Sequence, residues 1–327
     1  MSNDVGRKPD SFGRLPAESS SEQSNTPQAS APPQSYVELF HEYRNYLFSI
    51  AYRMLGSRVD AEDMLQETFL KWQGVSQTEI RDPRAFLVTV ITRLCINQLQ
   101  SARSRREEYF GHWLPEPLLT QTIEEGSSLP DLNESLSMAF LILLERLNPL
   151  ERAVFLLREV FEYEYTEVAE MLDQNEANCR QILSRARRHM TDDRPRFDTS
   201  PQQRKRLLQQ FLEATSHGNM EGLLSLLASD VVLYADGGGK ATAVPNPIYG
   251  ADRVARFFVA GREKLVPSDL VSSFAEINGQ LGLVAYHQGQ VFGVLTVDIA
   301  EGRIRNIYIV RNPEKLALLP NLPQEPF

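Results

Sequence analysis

The sequence predicts a multidomain chain in which two all-α domains precede one α+β domain. Three observations carry this. Apolar residues recur at helical spacing through most of residues 36–190. Residues 147–190 hold short helices around a tight turn, the last of them strongly basic. Beyond residue 230, short runs rich in Val, Ile, Leu and Tyr are punctuated by turn residues, as strands are. Helices first and an antiparallel sheet afterwards is the α+β order. At 327 residues the chain is long enough for two or three separate cores.

Composition narrows the class. A hydrophobic content of 42% with 24% charged residues is ordinary for a globular protein. Cys95 and Cys179 each sit in an apolar helical pattern, forming neither a disulfide framework nor a metal cluster, so a reducing compartment and no metal or cofactor are expected. No run approaches the roughly 20 apolar residues of a membrane span, and the N-terminus lacks a signal-peptide core. A cytoplasmic protein with no membrane partner is therefore expected.

Residues 1–35, rich in Ser, Pro, Gln and Asn, read as a disordered tail. Leu39, Phe40, Tyr43, Leu47, Ile50, Ala51 and Met54 then mark a first helix that stops near Gly56. Asp60-Ala61-Glu62-Asp63 starts a second, its acids suiting the positive end of a helix. Met64, Leu65, Phe69, Leu70 and Trp72 form its buried side, and Asp63, Gln66, Glu67 and Lys71 stay polar. Asp82-Pro83 opens a third helix over residues 84–100. Its continuation carries Arg103, Arg105 and Arg106 and runs into Tyr109, Phe110 and Trp113. Rings among guanidiniums suit stacking on single-stranded bases, although a solvated helix end has the same composition. Pro115 and Pro117 hold the next stretch extended, and Trp113 and Leu114 beside them are costly to solvate, which favours docking.

In residues 147–190, Asn148-Pro149 opens a helix with Val154, Leu157, Val160 and Phe161 on one face. A short helix over residues 165–172 follows, with Thr166 placed to cap it, then the turn Asp173-Gln174-Asn175, with Asn175 as the next cap. The last helix buries Cys179, Ile182, Leu183 and Ala186 and exposes Asn178, Arg180, Gln181, Arg185, Arg187 and Arg188. Two short helices around a tight turn fit a duplex-reading motif, and Asn, Gln and Arg are the side chains that read adenine and guanine edges. A helical hairpin with a solvated basic face is the competing reading. Charge favours the first: residues 107–176 hold 16 acids against 3 Lys/Arg, whereas residues 180–206 hold 9 Lys/Arg against 3 acids. A local basic stripe on a chain of net charge −9 implies an oriented contact rather than a nonspecific coat.

After a two-proline boundary at residues 194–203, a helix containing Leu207, Leu208, Phe211, Leu212 and Ala214 ends at His217-Gly218-Asn219. A second spans residues 220–227, a strand residues 230–235, and a third helix starts at Asp252. Strands follow at residues 273–277, 283–288, 290–299 and 303–310. Asp230, Tyr234, Asp236, His287 and Tyr308 have acid–base side chains, but most read as strand-face or turn residues. Asp236-Gly237-Gly238-Gly239-Lys240 is not a P-loop: Tyr234 stands where a glycine is needed, and Ala241 where Ser or Thr is needed. Its glycines read instead as a mobile loop with accessible amides.

These motifs carry a family resemblance. The stretch from Asp60-Ala61-Glu62-Asp63 to Lys71 resembles the core-polymerase-binding helix of bacterial sigma factors. Arg84-Ala85-Phe86-Leu87 with Arg93-Leu94-Cys95-Ile96-Asn97 resembles their promoter-melting helix, and residues 147–189, with Leu183-Ser184-Arg185-Ala186-Arg187, their −35-reading domain. Trp113-Leu114-Pro115-Glu116-Pro117-Leu118 is similar to the linker signature of extracytoplasmic-function (ECF) sigma factors with a C-terminal SnoaL-like extension. Asp236 to Lys240 and Asn312-Pro313-Glu314-Lys315-Leu316 are similar to motifs of that extension.

The resemblance implies sigma region 2 at residues 36–110, a Pro-containing linker at 111–133, sigma region 4 at 134–193, a second linker at 194–203, a SnoaL-like cone with a curved antiparallel sheet at 204–318, and a tail at 319–327. It implies core RNA polymerase and promoter DNA as partners and no catalytic residue. Asp60, Glu62, Asp63, Gln66 and Glu67 would face polymerase. Asn97, Arg103, Arg105 and Arg106 would meet the −10 element. Asn178, Arg180, Gln181 and Arg185 would meet −35 bases, with Arg187 and Arg188 nearer phosphates. Residues 113–118, residues 236–240, Asn312 and Pro313 would be the contacts through which the extension sets activity in cis, and a small molecule in its pocket is a further candidate partner. One departure concerns the melting helix, where members often carry Asp and Arg and this chain has Asn97, Gln98 and Gln100. Two competing readings are a SnoaL-like cyclase, hydrolase or metabolite sensor fused to a DNA-binding module, and a DNA-binding regulator that works without polymerase.

Overall fold

A computed structural model describes residues 36–75, 80–107, 109–120, 136–191 and 200–322; the expected tail 1–35 and most of the second linker lie outside them. Helix α1 (Tyr36–Leu55) ends at Gly56, whose φ of 66° disfavours a side chain and where a Cβ would lie 2.7 Å from Trp113 Cη2. Ser57 then caps α2 (Arg58–Gln73) by accepting from the Asp60 amide, so this helix starts two residues before Asp60. Ala61, Met64, Leu65, Thr68 and Trp72 form its buried stripe. Leu70 is 66% exposed, correcting its expected burial, because at 100° per residue it falls opposite that stripe. Helix α3 (Pro83–Glu107) runs past Gln100 through the basic continuation.

Helix α4 (Met138–Leu144) leads to α5 (Pro149–Phe155), which Asn148 and Glu151 open with a reciprocal capping box and which continues as a π turn, Leu156–Val160. Helix α6 (Tyr165–Leu172) is opened by Glu164 with Glu167, not by Thr166. Asp173, at φ 54°, ends it. The Asn175 side chain accepts from the Asn178 amide at 2.8 Å and so caps α7 (Glu176–Thr191), as expected.

The C-terminal part comprises α8 (Pro201–Ser216), α9 (Met220–Leu226), β1 (Leu227–Asp236), β2 (Ile248–Tyr249), α10 (Ala251–Leu265), β3 (Val271–Ile277), β4 (Gln280–His287), β5 (Gln290–Ala300), β6 (Arg303–Val310) and α11 (Pro313–Leu316). The sheet order is β2-β1-β6-β5-β4-β3. The sheet is mixed rather than wholly antiparallel, since β1 pairs parallel with β6. The crossover through α10 carries the chain to the far edge, and the β3–β6 meander returns it beside β1 running the same way. Register shifts in β1, between β4 and β5, and between β5 and β6 bend the strands and curve the sheet.

Three cores result. The first joins α1–α3 to α4–α7 in one continuous apolar cluster. The second lies between the sheet and helices α8–α10. The third packs Leu114, with Met138 and Ala139 of α4, against Ile277, Val284, Val294, Tyr308 and Val310 of the sheet. Both helical domains are thereby tied to the cone, one through the linker and one through α4.

Arg204 belongs to the cone. It is 6% exposed, donates to the Val297 carbonyl at 2.8 Å and to Gln280 Oε1 at 3.3 Å, and offsets the charge of buried Asp298. Arg204→Ala removes both hydrogen bonds and one of the two cations that offset the Asp298 charge, Arg305 being the other, and is expected to cost about 2–3 kcal/mol. Urea unfolding of the full chain measures this, and a loss within about 0.5 kcal/mol, as for an ordinary surface substitution, would refute the assignment.

Candidate nucleic-acid interface and interdomain clasp

Helix α7 presents a polar face. Gln181, Arg185 and Arg188 are exposed. Asn178 donates to Gln174 Oε1 at 2.6 Å. Arg180 pairs with Glu176 at 2.7 Å and lies over the Tyr165 ring at 4.7 Å. Arg187 pairs with Glu159 at 2.6 Å, which raises its pKa. Helix α7 thus holds some side chains in place and leaves others exposed. Asn97 is exposed on α3, while the side chains of Arg103, Arg105 and Arg106 lie outside the described ones.

The acids of α2 divide in two. Asp63, Gln66 and Glu67 are exposed, and with Val59 and Leu70 they occupy one face. Glu62 is engaged by Arg44 at 2.6 Å, and Asp60 accepts from Gln98 at 3.2 Å.

The two helical domains touch through polar contacts as well as their shared core. Tyr46 donates to the Tyr163 hydroxyl at 3.0 Å, and Arg84 lies over the Tyr46 and Tyr163 rings. Arg152 donates to the Met54 carbonyl at 2.6 Å. Arg93 of α3 donates to the Met171 carbonyl at 2.8 Å, at the negative end of α6.

The linker is clasped at both ends. At its start, Asp236 is fully buried. Its Oδ2 accepts from the Leu114 amide at 2.9 Å and Lys315 Nζ at 2.7 Å, and its Oδ1 from the Tyr109 hydroxyl at 2.6 Å and the Gly238 amide at 3.0 Å. Lys315 Nζ also donates to the Leu114 carbonyl and lies 4.2 Å from the Trp113 ring centroid. Asn312 caps α11 and donates to the Tyr109 hydroxyl at 2.9 Å. Gly238, at φ 59°, leaves room for that amide. Pro313 occupies the first turn of α11, and Lys240 pairs with Glu314.

At the other end, Glu116 reaches α2. Its Oε1 accepts from Ser57 Oγ at 2.9 Å and its Oε2 from the Arg58 amide at 2.6 Å, placing a carboxylate on the positive end of α2. Burial raises the Glu116 pKa, and those hydrogen bonds draw it back down. The Asn278 amide group donates to the Tyr52 hydroxyl at 2.6 Å, and its oxygen accepts from the Leu118 amide at 3.0 Å. The Asn278 backbone amide donates to the Leu118 carbonyl at 2.7 Å, and Leu119 forms a bridge with Ile277 at the end of β3. Pro115 and Pro117, both buried, offer no competing backbone donor.

Of the readings left open for the rings after α3, base stacking loses Tyr109 and Trp113, which a buried carboxylate and an ammonium claim, while Trp113 and Leu114 dock as expected. One expectation is corrected. The glycine loop is not a row of open amides, since the Lys240 and Ala241 amides both bond back to the Gly237 carbonyl. The sequence carries no site signal for Tyr52 or Asn278, marks Tyr109 only as a ring beside arginines, and marks Lys315 only inside the Asn312–Leu316 motif.

Residues 39–105 match the family model for Sigma-70 region 2, and residues 137–190 that for Sigma-70, region 4. The chain is 33% identical over 290 residues to the ECF RNA polymerase sigma factor SigJ of Mycobacterium tuberculosis, covering 85% of this chain and 92% of that protein. It is 31% identical over 276 residues to the probable ECF RNA polymerase sigma factor SigI of the same organism, covering 84% and 92%. The crystal structure of Mycobacterium tuberculosis SigJ aligns with a TM-score of 0.69 at 31% identity, over 86% of this chain and 98% of that one. No helix among the described residues is long and apolar enough to cross a membrane.

The His112 ring lies 4.8 Å from that of Tyr234, inside the clasp. Burial lowers its pKa, with Asp236 opposing and Lys315 reinforcing the shift. The folded chain therefore binds this proton less readily than the unfolded chain. The stabilising contribution is present above the unfolded value of about 6.5 and is lost as pH falls through the lowered one. The Tm of the full chain is expected to drop between about pH 7 and pH 5, and His112→Phe should flatten that part of the slope. Identical calorimetric slopes for the two proteins would refute it.

Proposed function

The chain belongs to the ECF RNA polymerase sigma factors, and we propose that its SnoaL-like domain holds the two promoter-reading domains closed until the clasp is loosened. It binds core RNA polymerase, recognises promoter DNA and initiates transcription. The observation that carries the regulatory reading is the packing of α3 directly against α5 and α6. The −10 and −35 elements lie about 25 base pairs apart by name, or about 85 Å along a straight duplex at 3.4 Å per step. Domains in direct contact do not span that distance, so promoter binding requires them to separate. The linker between them is held by Asp236, Lys315 and Asn278 of the cone, and α4 rests on the same sheet. Activity is then set by how readily those contacts release.

Within this reading, Asp63, Gln66 and Glu67, joined by Val59 and Leu70, meet polymerase, while Asp60 and Glu62 first break their internal pairs. Asn97 with Arg103, Arg105 and Arg106 meets the −10 region. Asn178, Arg180, Gln181 and Arg185 read −35 bases, and Arg187 and Arg188 hold phosphates. Residues 113–118, residues 236–240, Asn312 and Pro313 regulate, and a small molecule in the cone is a third partner. The competing enzyme reading draws less support. Asp236 is consumed by Lys315, His287 pairs with Asp269 at 2.8 Å, Asp230 is exposed near Arg305, and Tyr234 stacks between His112 and Tyr308. None of these side chains lines the cavity of the cone.

Run-off transcription with core polymerase tests the regulation. Asp236→Asn removes the charge facing Lys315, weakening the clasp by about 3–5 kcal/mol, and is expected to raise transcription several-fold with polymerase co-purification retained. A cut placed in residues 192–199, ahead of Arg204, should also change transcription, although it uncovers Leu114, Met138 and Ala139. Unchanged transcription in both variants counts against the reading. On promoter DNA, Asn178→Ala should relax base preference at one position by about 1–3 kcal/mol, whereas Arg188→Ala should weaken specific and scrambled sites alike. Equal losses on both sequences for both variants would contradict that division.

A further inference from the structure

Between α8, α10 and the sheet lies a cavity of about 1020 Å³. Its walls are mainly apolar, with Phe211, Phe257, Phe258 and Phe292 prominent. Among the described residues its lining includes two cations, Arg262 and Arg311, and no Asp or Glu, in a chain whose net charge is −9. Arg311 is the unusual member. Its guanidinium lies 3.7 Å from the Phe292 ring centroid, and its Nε is buried without a hydrogen-bond partner among the described residues. The hydroxyl of Thr215, another lining residue, is likewise buried and unpartnered. Buried polar atoms ordinarily have partners. These two are closed off even from the cavity, whereas the terminal nitrogens of Arg311 make no hydrogen bond or ion pair among the described residues and are the groups open to an occupant that supplies acceptors. A guanidinium with one face on a ring keeps its in-plane N–H edge, which matches a planar two-oxygen anion. Burial also lowers the Arg311 pKa, a desolvation that a facing anion relieves.

We propose that this cavity is a binding site for an apolar small molecule bearing one carboxylate, which pairs with Arg311 while the hydrocarbon lies among the phenylalanines. Size and lining suit such a ligand. Its regulatory consequence rests on the reading of the clasp given above, because the cavity wall and the clasp share segments. Ala235 precedes Asp236, residues 242–244 follow the glycine loop, and Arg311 precedes Asn312 while donating its own amide to the Asp236 carbonyl at 2.7 Å.

Isothermal titration of the full chain with decanoate and with 1-decanol tests the binding without transcription, so failure here and failure of the clasp reading are separable. Decanoate is expected to bind at least about tenfold more tightly than decanol, a charge-assisted bidentate pair against a neutral contact. Arg311→Gln should bring decanoate to the level of decanol and leave decanol unchanged. Ala285→Trp, which fills the cavity from β4, should abolish both. Undetectable decanoate binding, equal affinities for the two probes, a preference that survives Arg311→Gln, or undiminished binding to Ala285→Trp would each overturn the proposal. Should Arg311→Gln lower the Tm, the ratio of the two probes on the unsubstituted chain still decides.

Discussion

The carboxylate of Asp236 is the constraint on which the arrangement of this chain depends. A buried charge without partners is far too costly to keep, so Asp236 is tolerable only while its donors stay in place. Only the Gly238 amide belongs to its own loop. Lys315 comes from α11, just past the end of the neighbouring strand β6, and the Leu114 amide and Tyr109 hydroxyl come from the linker. The cone rim and the linker are therefore mutually required. Undocking the linker strips the carboxylate of two donors at once and takes the Leu114 carbonyl from Lys315.

The same linker carries the consequence to α2, the helix proposed to face polymerase. Glu116 sits on the N-terminus of α2, two residues from buried Leu114, and Tyr52 joins this end to Asn278 of the cone. A disturbance at Asp236 thus has a short covalent path to the helix that presents Asp63, Gln66 and Glu67. Packing of α4 on the same sheet face gives the region 4 domain a parallel route. A sigma factor regulated in this way carries its own restraint, built from buried polar contacts together with the apolar cluster that seats Leu114 and α4 on the sheet.

The curved sheet serves two masters. Its outer face receives Leu114, Met138 and Ala139, while its inner face helps to enclose the cavity with Arg311 and the phenylalanines. Because the strands are shared, neighbouring residues on one strand serve different faces: Ala235 lines the cavity and Asp236 holds the linker. This places the proposed ligand site and the proposed release point within one residue of each other.

Much of this was legible in the sequence because its causes are local. Helical periods, the Asn148 and Asn175 caps, the turn at Asp173 and the buried stripe of α7 depend on residues three or four positions apart, and the motifs that carry the family are contiguous. The sequence also indicated that Trp113 and Leu114 would dock, since leaving them in water is costly. What it left open depends on partners far away in the chain. Leu114 meets Asp236 across 122 positions, and Asn278 meets Tyr52 across 226. Asn278-Gly279 carries only the composition of a hairpin turn, and Tyr109 only that of an aromatic beside arginines. The parallel pairing of β1 with β6, the exposure of Leu70 and the fusion of two helical domains into one core were decided by the tertiary structure, because crossover path, helix packing and buried-charge satisfaction have no short-range signature.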